Sequence, residues 1–244
     1  MTPRLHVVCC GTRIGELAEL PTREIVFQYD QNWLAAGFSL APKSVPFNGD
    51  PNPAVRPTFQ GLHGVFNDSL PDGWGLLLMD RALKQHLNLD RDAITPLDRL
   101  AYMGHRGMGA LEYQPELLPE KEAQVVDLAA IAEQAELVLH GKTLEVLEML
   151  RICGGSPGGA RPKVTVAFSE HMDACLSSFR EIPSGYSHLI VKFRNDSSYG
   201  GSDPSDIGRL ERAYADMACS AGLEMAESKL LELTIRKKKA LCGS

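Results

Sequence analysis

A glycine-rich loop followed by two cations is the first stretch of this sequence whose residue types suggest chemistry. Residues Gly154 to Gly159 read Gly-Gly-Ser-Pro-Gly-Gly, and Arg161 and Lys163 follow closely. A turn that carries so few side chains lets its backbone N–H groups approach an anion closely. Loops of this composition hold phosphates in several unrelated folds. A flexible turn or linker before a strand is the alternative, because Gly and Pro mark turns everywhere.

Lys192 and Glu211 add a further cation and a carboxylate. A nucleoside triphosphate needs backbone amides over its phosphates, a fixed cation to neutralise them and a carboxylate to hold that cation. The glycine loop, Lys192 and Glu211 follow one another in the order that a kinase small lobe requires. A lysine in an apolar strand needs an anionic partner if it is buried. The alternative is that the Lys192 side chain extends from a strand edge into solvent.

Two strands and a helix have to position these groups. The alternation of Val164–Phe168 predicts a strand directly after the loop, and the apolar run His188–Phe193 predicts a second one. Ser205 or Asp206 is typical of a helix N-cap, and Gly222 is typical of a helix end. The inward face of this helix is predicted to carry Leu210, Ala213, Tyr214, Met217 and Ala221.

Two helices are predicted immediately before the loop. The first begins near Asp127 and ends near Gly141, and the second covers Thr143–Leu150. The apolar residues of the first helix recur at helical spacing: Leu128, Ile131, Ala135, Val138 and Leu139.

The first hundred or so residues are predicted to be rich in strands. Leu5–Cys10 and Glu24–Tyr29 alternate or run apolar, and Asp30 is a plausible N-cap of a short helical turn. The five prolines of Ala41–Phe59 favour an extended, irregular loop.

Helices are also predicted over Leu76–Leu87 and Asp98–Tyr102, and a glycine-interrupted strand over Gly104–Tyr113. The first of these helices has one apolar face: Leu76, Met79, Leu83 and Leu87.

Two polar pairs in this region have both a catalytic and a plain structural interpretation. Asp68 and Asp72 are close enough in sequence to form paired carboxylates, but capping of a turn and a helix start is the favoured interpretation. His105 and Arg106 suggest catalysis, and a solvated turn is the favoured alternative.

Composition limits the functional classes. The net charge is -6, which argues against binding of nucleic acid through the overall field of the chain. The N-terminal stretch lacks the apolar run of a signal peptide, and no stretch reaches the ~20 apolar residues of a membrane span. We therefore expect a cytoplasmic protein with no membrane partner. The six cysteines are scattered without a Cys-x-x-Cys pair, so we expect free thiols and no metal site.

The chain resembles the HipA family, the serine/threonine kinase toxins of type II toxin–antitoxin modules. The resemblance extends from the first strands to about Leu233. The stretches that carry it are Gly15–Leu17, Phe27–Tyr29, Trp33–Leu34, Phe66–Asp72, Tyr102–Gly104, Gly109–Leu111, Ser156–Lys163, His188–Phe193 and Leu210–Tyr214.

The resemblance implies a role for each site residue. Gly158 to Lys163 look like the family's phosphate-covering loop, and Ser156 stands where family members carry an autophosphorylated serine. Lys192 looks like the lysine that contacts the nucleotide phosphates, and Glu211 like the helix glutamate beside it. The nucleotide-binding residues implied are Gly158, Gly159, Ala160, Arg161, Lys163, Lys192 and Glu211.

The sequence departs from the family where catalysis takes place. The family's catalytic loop, of the type Asp-x-His-x-x-Asn, and its later metal-binding aspartate lie beyond the small lobe. Here no histidine follows His188 and no asparagine follows Asn195. We therefore expect no catalytic residue and no metal ligand in this chain. ATP and Mg²⁺ would serve the full-length parent and bind this chain weakly or not at all, since an adenine pocket is not expected either.

These features predict an α+β fold in four parts. Residues 1–119 are a β-rich N-terminal subdomain, 120–150 a helical connector, 151–233 a kinase-like small lobe and 234–244 a tail. The basic run in the tail favours a solvated end left by truncation, and a weak nucleic-acid patch is the alternative.

Two functions follow from the resemblance. The first is an N-terminal fragment of a HipA-like kinase, with protein substrates of the translation-related kind and without activity on its own. The alternative is a non-catalytic binding module. Its partner would be a HipB-like helix-turn-helix antitoxin or a separate kinase lobe, and it would reach DNA only through the antitoxin.

Overall fold

A computed structural model describes residues 4–54, 58–118, 125–142, 148–153, 158–177, 182–194 and 203–233. These residues form two antiparallel sheets with helices packed beside them, so the fold is α+β, as predicted. Within these ranges no helix is long and apolar enough to cross a membrane.

The elements follow one another in a simple order along the chain. The strands are β1 (Arg4–Cys9), β2 (Thr12–Glu19), β3 (Ile25–Tyr29), β4 (Asn52–Pro53), β5 (Leu111–Gln114), β6 (Lys163–Ser169), β7 (Cys175–Ser177) and β8 (Tyr186–Lys192). The helices are α1 (Gln31–Ala36), α2 (Gly64–Asn67), α3 (Gly73–Leu87), α4 (Pro96–Met103), α5 (Leu128–Leu139), α6 (Glu148–Cys153) and α7 (Ile207–Ser220). Two short 3-10 turns lie at Thr58–Gly61 and Arg91–Ala93.

The first sheet has five strands in the order β4-β3-β2-β1-β5. The predicted strands β1 and β3 are confirmed, and β2 lies between them although no strand is predicted over Thr12–Glu19. Register explains its place, because Leu17 faces both Leu5 of β1 and Phe27 of β3. These three side chains are fully buried, and they form the centre of the N-terminal core together with Phe66 and Leu100.

Helix α4 packs on this core and α3 packs against α4, and the five-stranded sheet with these helices forms the first unit of the protein. Helix α3 begins at Gly73, three residues before the predicted start, and its buried residues include Met79 and Leu83 of the predicted apolar face. Leu87, from the same predicted face, is exposed. Helix α4 begins with a capping box, in which the Thr95 side chain accepts from the Asp98 N–H and the Asp98 carboxylate accepts from the Thr95 N–H.

The turn after α4 corrects two predictions. The strand predicted over Gly104–Tyr113 is present only over its last residues, as β5. Arg106 does not lie in a solvated turn, because it is buried. Its guanidinium stacks 4.4 Å from the centre of the Tyr102 ring and donates to the Tyr102 carbonyl. This cation therefore ties the turn to α4.

The second sheet has three strands in the order β7-β6-β8. Val164, Val166 and Phe168 of β6 pack into one core with α5 and α6, and Trp74 and Leu78 of α3 belong to the same core. The predicted buried face of α5 is confirmed at Leu128, Ile131, Ala135 and Val138. Residues 143–147 of the next predicted helix lie outside the described residues.

The prediction that one face of α7 is buried is wrong, because the helix has no buried residue. It starts after Asp206, one of the two predicted caps, although the Asp206 side chain makes no capping hydrogen bond. Leu210, Tyr214 and Met217 are 41%, 71% and 64% exposed. The apolar stripe is therefore present in the sequence, but within the described chain no element covers it.

Candidate functional site

The second half of the glycine loop is attached to the first unit of the protein. The Trp74 N–H donates to the Gly159 carbonyl at 3.2 Å, and the Trp74 Nε1–H donates to the Lys163 carbonyl at 3.1 Å. Gly73 permits this approach. Its φ is +42°, and a Cβ there would lie 2.9 Å from the Ala160 Cα. The start of α3 therefore holds the loop where it enters β6.

Asp72 makes a direct contact with the loop. It occupies the N-cap position of α3, as predicted, but its side chain makes no capping hydrogen bond. Its carboxylate instead accepts from the Gly159 N–H. Side-chain capping is therefore the wrong interpretation of Asp72. An anion that binds the Gly159 N–H has to compete with this carboxylate.

Sheet register brings the two lysines together. Lys163 of β6 is the direct antiparallel partner of Lys192 at the end of β8, so the two side chains lie on the same face. The Lys163 ammonium donates to the Gly158 carbonyl. Two like charges that face each other are unfavourable unless an anion lies nearby. The pair is therefore suited to receive negative charge.

Glu211 joins Lys192 to Arg161. Its Oε2 lies 3.2 Å from the Lys192 Nζ, and its Oε1 lies 2.7 Å from an Arg161 nitrogen. A second Arg161 nitrogen lies 3.0 Å from Asp203 Oδ1. The Lys192 side chain is 58% exposed. Both interpretations of Lys192 are therefore realised, since it has an anionic partner and also extends into solvent.

Burial and the neighbouring charges shift the pKa of Lys163. Burial lowers the pKa of Lys163 from its ordinary value of 10.5, and the neighbouring Lys192 and Arg161 cations lower it further. The Asp72 and Glu211 carboxylates raise this pKa in opposition. A bound phosphate would act in the same direction as the carboxylates, because an added negative charge stabilises the ammonium form.

An open cavity of about 220 Å³ lies between these side chains. It is lined by Gly159, Ala160, Arg161, Lys163, Lys192 and Glu211. Gly158 is not one of the lining residues, although its carbonyl accepts from the Lys163 ammonium, and Ser156 falls outside the described residues. The structure therefore brings together six of the residues that the sequence pattern groups. It adds Asp72, Trp74 and Asp203, which carry no periodic or motif signal that would link them to the loop.

The sequence comparisons agree with this arrangement. The chain matches the HipA N-terminal domain over residues 5–114 and the HipA-like C-terminal domain over residues 155–242. The fold and the site thus define a protein of the HipA type, in which a β-rich N-terminal domain is followed by a domain with a three-stranded sheet. The chain belongs to the HipA family.

A solved structure of the family supports the fold. The chain is similar to HipA of Shewanella oneidensis MR-1, from the structure of that toxin–antitoxin system's HipA, HipB and operator DNA complex. The TM-score is 0.59 at 18% sequence identity, over 94% of this chain and 48% of that chain. The chain thus spans about half the length of that HipA. The comparison with curated proteins gives no match.

Proposed function

We propose that this chain is the phosphate-binding half of a HipA-like serine/threonine protein kinase and that it is not catalytically competent alone. The observation that carries the proposal is the cavity of about 220 Å³, where Lys163, Lys192 and Arg161 converge and Glu211 bridges two of them. Three cations around a glycine-rich turn can neutralise part of the negative charge of a triphosphate.

The same geometry explains why we expect weak binding. The cavity is open to solvent, and the Lys192 and Arg161 side chains are 58% and 43% exposed. Exposed charges are screened by water and salt, so each contact contributes little. The Gly159 N–H already has Asp72 as its acceptor. A nucleotide therefore gains only part of the neutralisation that a closed kinase cleft provides.

Catalysis needs groups that we do not assign to this chain. In a kinase, magnesium neutralises charge on the β- and γ-phosphates, and an aspartate accepts the hydroxyl proton. Among the described residues no cluster of three or more side chains suits a metal ion. Glu211 and Asp203 already pair with cations. We therefore assign phosphate binding to these residues and propose Ser156 as an autophosphorylation site of a complete kinase.

Calorimetric titration with ATP and with inorganic tripolyphosphate tests the proposal. We expect both to bind with dissociation constants well above the micromolar range, and Lys192→Met to weaken both. The matched control is Lys229→Met, because Lys229 is equally exposed and pairs with Glu227 away from the cavity. Equal weakening by both variants, or micromolar binding of ATP by the wild type, would contradict the proposal.

A phosphorylation assay tests competence separately. The isolated chain is incubated with Mg²⁺ and γ-labelled ATP, and Ser156→Ala serves as the control. We expect no incorporation of label. Label that disappears in the Ser156 variant would show that this chain is an active kinase.

A binding module is the second candidate function. The observation that favours it is the uncovered apolar stripe of α7, which continues into exposed apolar residues after the helix: Leu210, Tyr214, Met217, Leu223, Met225, Leu230 and Leu231. Exposed apolar surface of this kind marks interaction sites. We propose a separate kinase lobe as the partner at this stripe and a HipB-like antitoxin as a partner of the N-terminal unit.

Co-expression with neighbouring reading frames, followed by affinity purification, tests the binding module. We expect a stable complex with a kinase lobe or a helix-turn-helix protein, and we expect the double variant Tyr214→Ser, Met217→Ser to lose the lobe but not the antitoxin. Purification of the chain alone from every co-expression would remove this candidate.

A further inference from the structure

Asp72 brings a negative charge from the first unit of the protein to the glycine loop. Its carboxylate accepts from the Gly159 N–H, and the two residues are 87 positions apart in the chain. The contact therefore exists only because the start of α3 packs against the loop. A backbone N–H of a glycine-rich turn is the kind of donor that binds phosphate oxygens. Asp72 thus occupies a donor that the proposed phosphate site would offer to its ligand.

Glycines on both sides of the contact make room for this carboxylate. A Cβ at Gly158 would lie 3.2 Å from Asp72 Oδ1, which is a tight contact. A Cβ at Gly73, the residue after Asp72, would lie 2.9 Å from the Gly159 carbonyl oxygen. A side chain at either position would press the loop and the carboxylate apart, and close approach of this kind favours glycine. The glycines of the loop therefore admit the Asp72 carboxylate.

The same carboxylate acts on the nearest cation of the site. Asp72 raises the pKa of Lys163 more than Glu211 does. A Cβ at Gly159 would lie 2.6 Å from the Lys163 ammonium nitrogen, so the residue that donates to Asp72 directly adjoins this cation. Asp72 does not line the cavity of about 220 Å³, but Gly159 and Lys163 both do. An anion that enters the cavity is therefore repelled by Asp72.

Asp72 has a second position to which its side chain can turn. It is the N-cap of α3, and its extended backbone (φ −111°, ψ 176°) is the conformation from which a cap side chain reaches the first turn of its helix. Here that hydrogen bond is not made. Its usual donor is the N–H three residues after the cap, which belongs to Gly75 and now bonds to the Asp72 carbonyl at 3.0 Å. A carboxylate is favourable at this end of a helix. The Asp72 side chain can therefore exchange the Gly159 N–H for a donor of its own helix.

We propose that Asp72 is an internal anion that blocks the glycine loop, and that a phosphate group binds by displacing it. In the closed state the carboxylate accepts from the Gly159 N–H beside Lys163. In the open state it caps α3, and the Gly159 N–H and Lys163 are free for the phosphate. The inference rests on the proposed phosphate site and adds the group that regulates it. Because phosphate and Asp72 exclude each other on the loop, each weakens the binding of the other.

Calorimetric titration of the full chain with inorganic tripolyphosphate tests the inference. Asp72→Asn keeps an oxygen that can accept from the Gly159 N–H but removes the negative charge. We expect this variant to bind tripolyphosphate about fivefold more tightly than the wild type, since a unit charge within about 4 Å weakens the binding of an anion even in water. Asp72→Glu keeps the charge and should bind no more tightly than the wild type.

Asp90→Asn is the matched control. It removes the same charge beyond the other end of α3, where Asp90 pairs with the exposed Lys84. We expect the affinity for tripolyphosphate to stay unchanged, because exposed charges separated by more than a Debye length are largely screened. An equal gain in Asp90→Asn and Asp72→Asn would assign the effect to net charge and overturn the inference.

The NMR signal of the Gly159 amide reports the displacement itself. We expect this amide to exchange with solvent more slowly in the wild type than in Asp72→Ala, because the carboxylate protects it. At saturating tripolyphosphate the two proteins should show the same Gly159 signal, since a phosphate then occupies the N–H in both. A purely supporting role of Asp72 predicts the opposite order of affinities, with weaker binding in both Asp72→Asn and Asp72→Ala.

The dependence on Lys192 separates this inference from the phosphate site. Equal or weaker binding by Asp72→Asn, with binding still reduced by Lys192→Met, would overturn the role of Asp72 alone. Tripolyphosphate binding that does not depend on Lys192, in the wild type and in Asp72→Asn, would overturn the proposed phosphate site instead.

Discussion

The two sheets of this protein differ in how many of their strands are buried. In the five-stranded sheet, side chains of β1, β2 and β3 are buried on a face that α2 and α4 help to cover. In the three-stranded sheet, six of the seven residues of β6 are buried. In the described chain, however, β8 and α7 contain no buried residue. The five-stranded sheet therefore has a covered apolar face, whereas in the second half of the protein β6, β7, α5 and α6 contribute buried residues and β8 and α7 do not.

The candidate site lies at the elements that bury no residue. Lys192 and Glu211 belong to β8 and α7, the two uncovered elements. Charged side chains can remain hydrated there without a desolvation cost, which a closed core would impose. The comparison therefore predicts that stability resides in the first unit and at β6, whereas ligand binding depends on residues that contribute little to stability.

Truncation of a core ring should have the largest effect. Phe27 is fully buried, and its ring centre lies 4.8 Å from those of both Tyr29 and Phe66. We expect Phe27→Ala to lower the free energy of unfolding by about 3–5 kcal/mol. Tyr214→Ala in α7 should change it by less than about 0.5 kcal/mol. Chemical denaturation compares the two variants, and similar losses would contradict the contrast between the units.

Removal of the Trp74 indole N–H, which joins α3 to β6, should have the next largest effect on stability. Trp74→Phe retains an aromatic ring but removes the pyrrole part of the indole, which leaves the buried Lys163 carbonyl without its donor and some buried space unfilled, so we expect a loss of at least about 1–3 kcal/mol. Trp33→Phe is the matched control, because Trp33 Nε1 donates to the Phe38 carbonyl at the protein surface. Equal destabilisation by the two substitutions would show that the hydrogen bond to β6 has no special importance.

Acid should weaken the first unit through His63. Burial lowers the pKa of His63 from its ordinary value of 6.5, and a backbone contact with Pro53 opposes this only in part. Because the folded pKa is lower than the unfolded one, the unfolded state binds more protons between the two values. Stability is therefore fully present above pH 6.5 and is lost as pH falls through the folded pKa. Thermal unfolding at a series of pH values should show this loss, and His63→Phe should reduce it.

Neutralisation of the bridging carboxylate should have the smallest effect on folding. The Glu211 side chain is 40% exposed and its Lys192 partner 58%. Exposed ion pairs contribute about 0–1 kcal/mol, so we expect Glu211→Gln to change stability by less than about 1 kcal/mol. Urea unfolding curves of the two proteins should nearly coincide. A loss as large as that of Trp74→Phe would mean that α7 is held much more firmly than its exposure indicates.

The prediction of local elements was most successful where a pattern repeats within one element. The buried positions of α5 recur at helical spacing, and β6 is a strand as predicted, with Val164, Val166 and Phe168 in one core. Strand β2 was missed because charged residues interrupt its apolar positions, and only pairing with β1 and β3 makes it a strand. The inward face of α7 was predicted wrongly for a related reason. Periodicity shows that a stripe exists, but not whether another element covers it.

The sequence by itself determined the order of the glycine loop, Lys192 and Glu211, because turns, strands and helices each leave a local signature. It also carried the resemblance to the HipA family, which the comparisons bear out. Only the tertiary structure decided that Asp72 contacts the Gly159 N–H and that Glu116 orients His105. The physical reason is that these contacts join residues far apart in the chain, and their hydrogen bonds exist only once the two sheets have packed together.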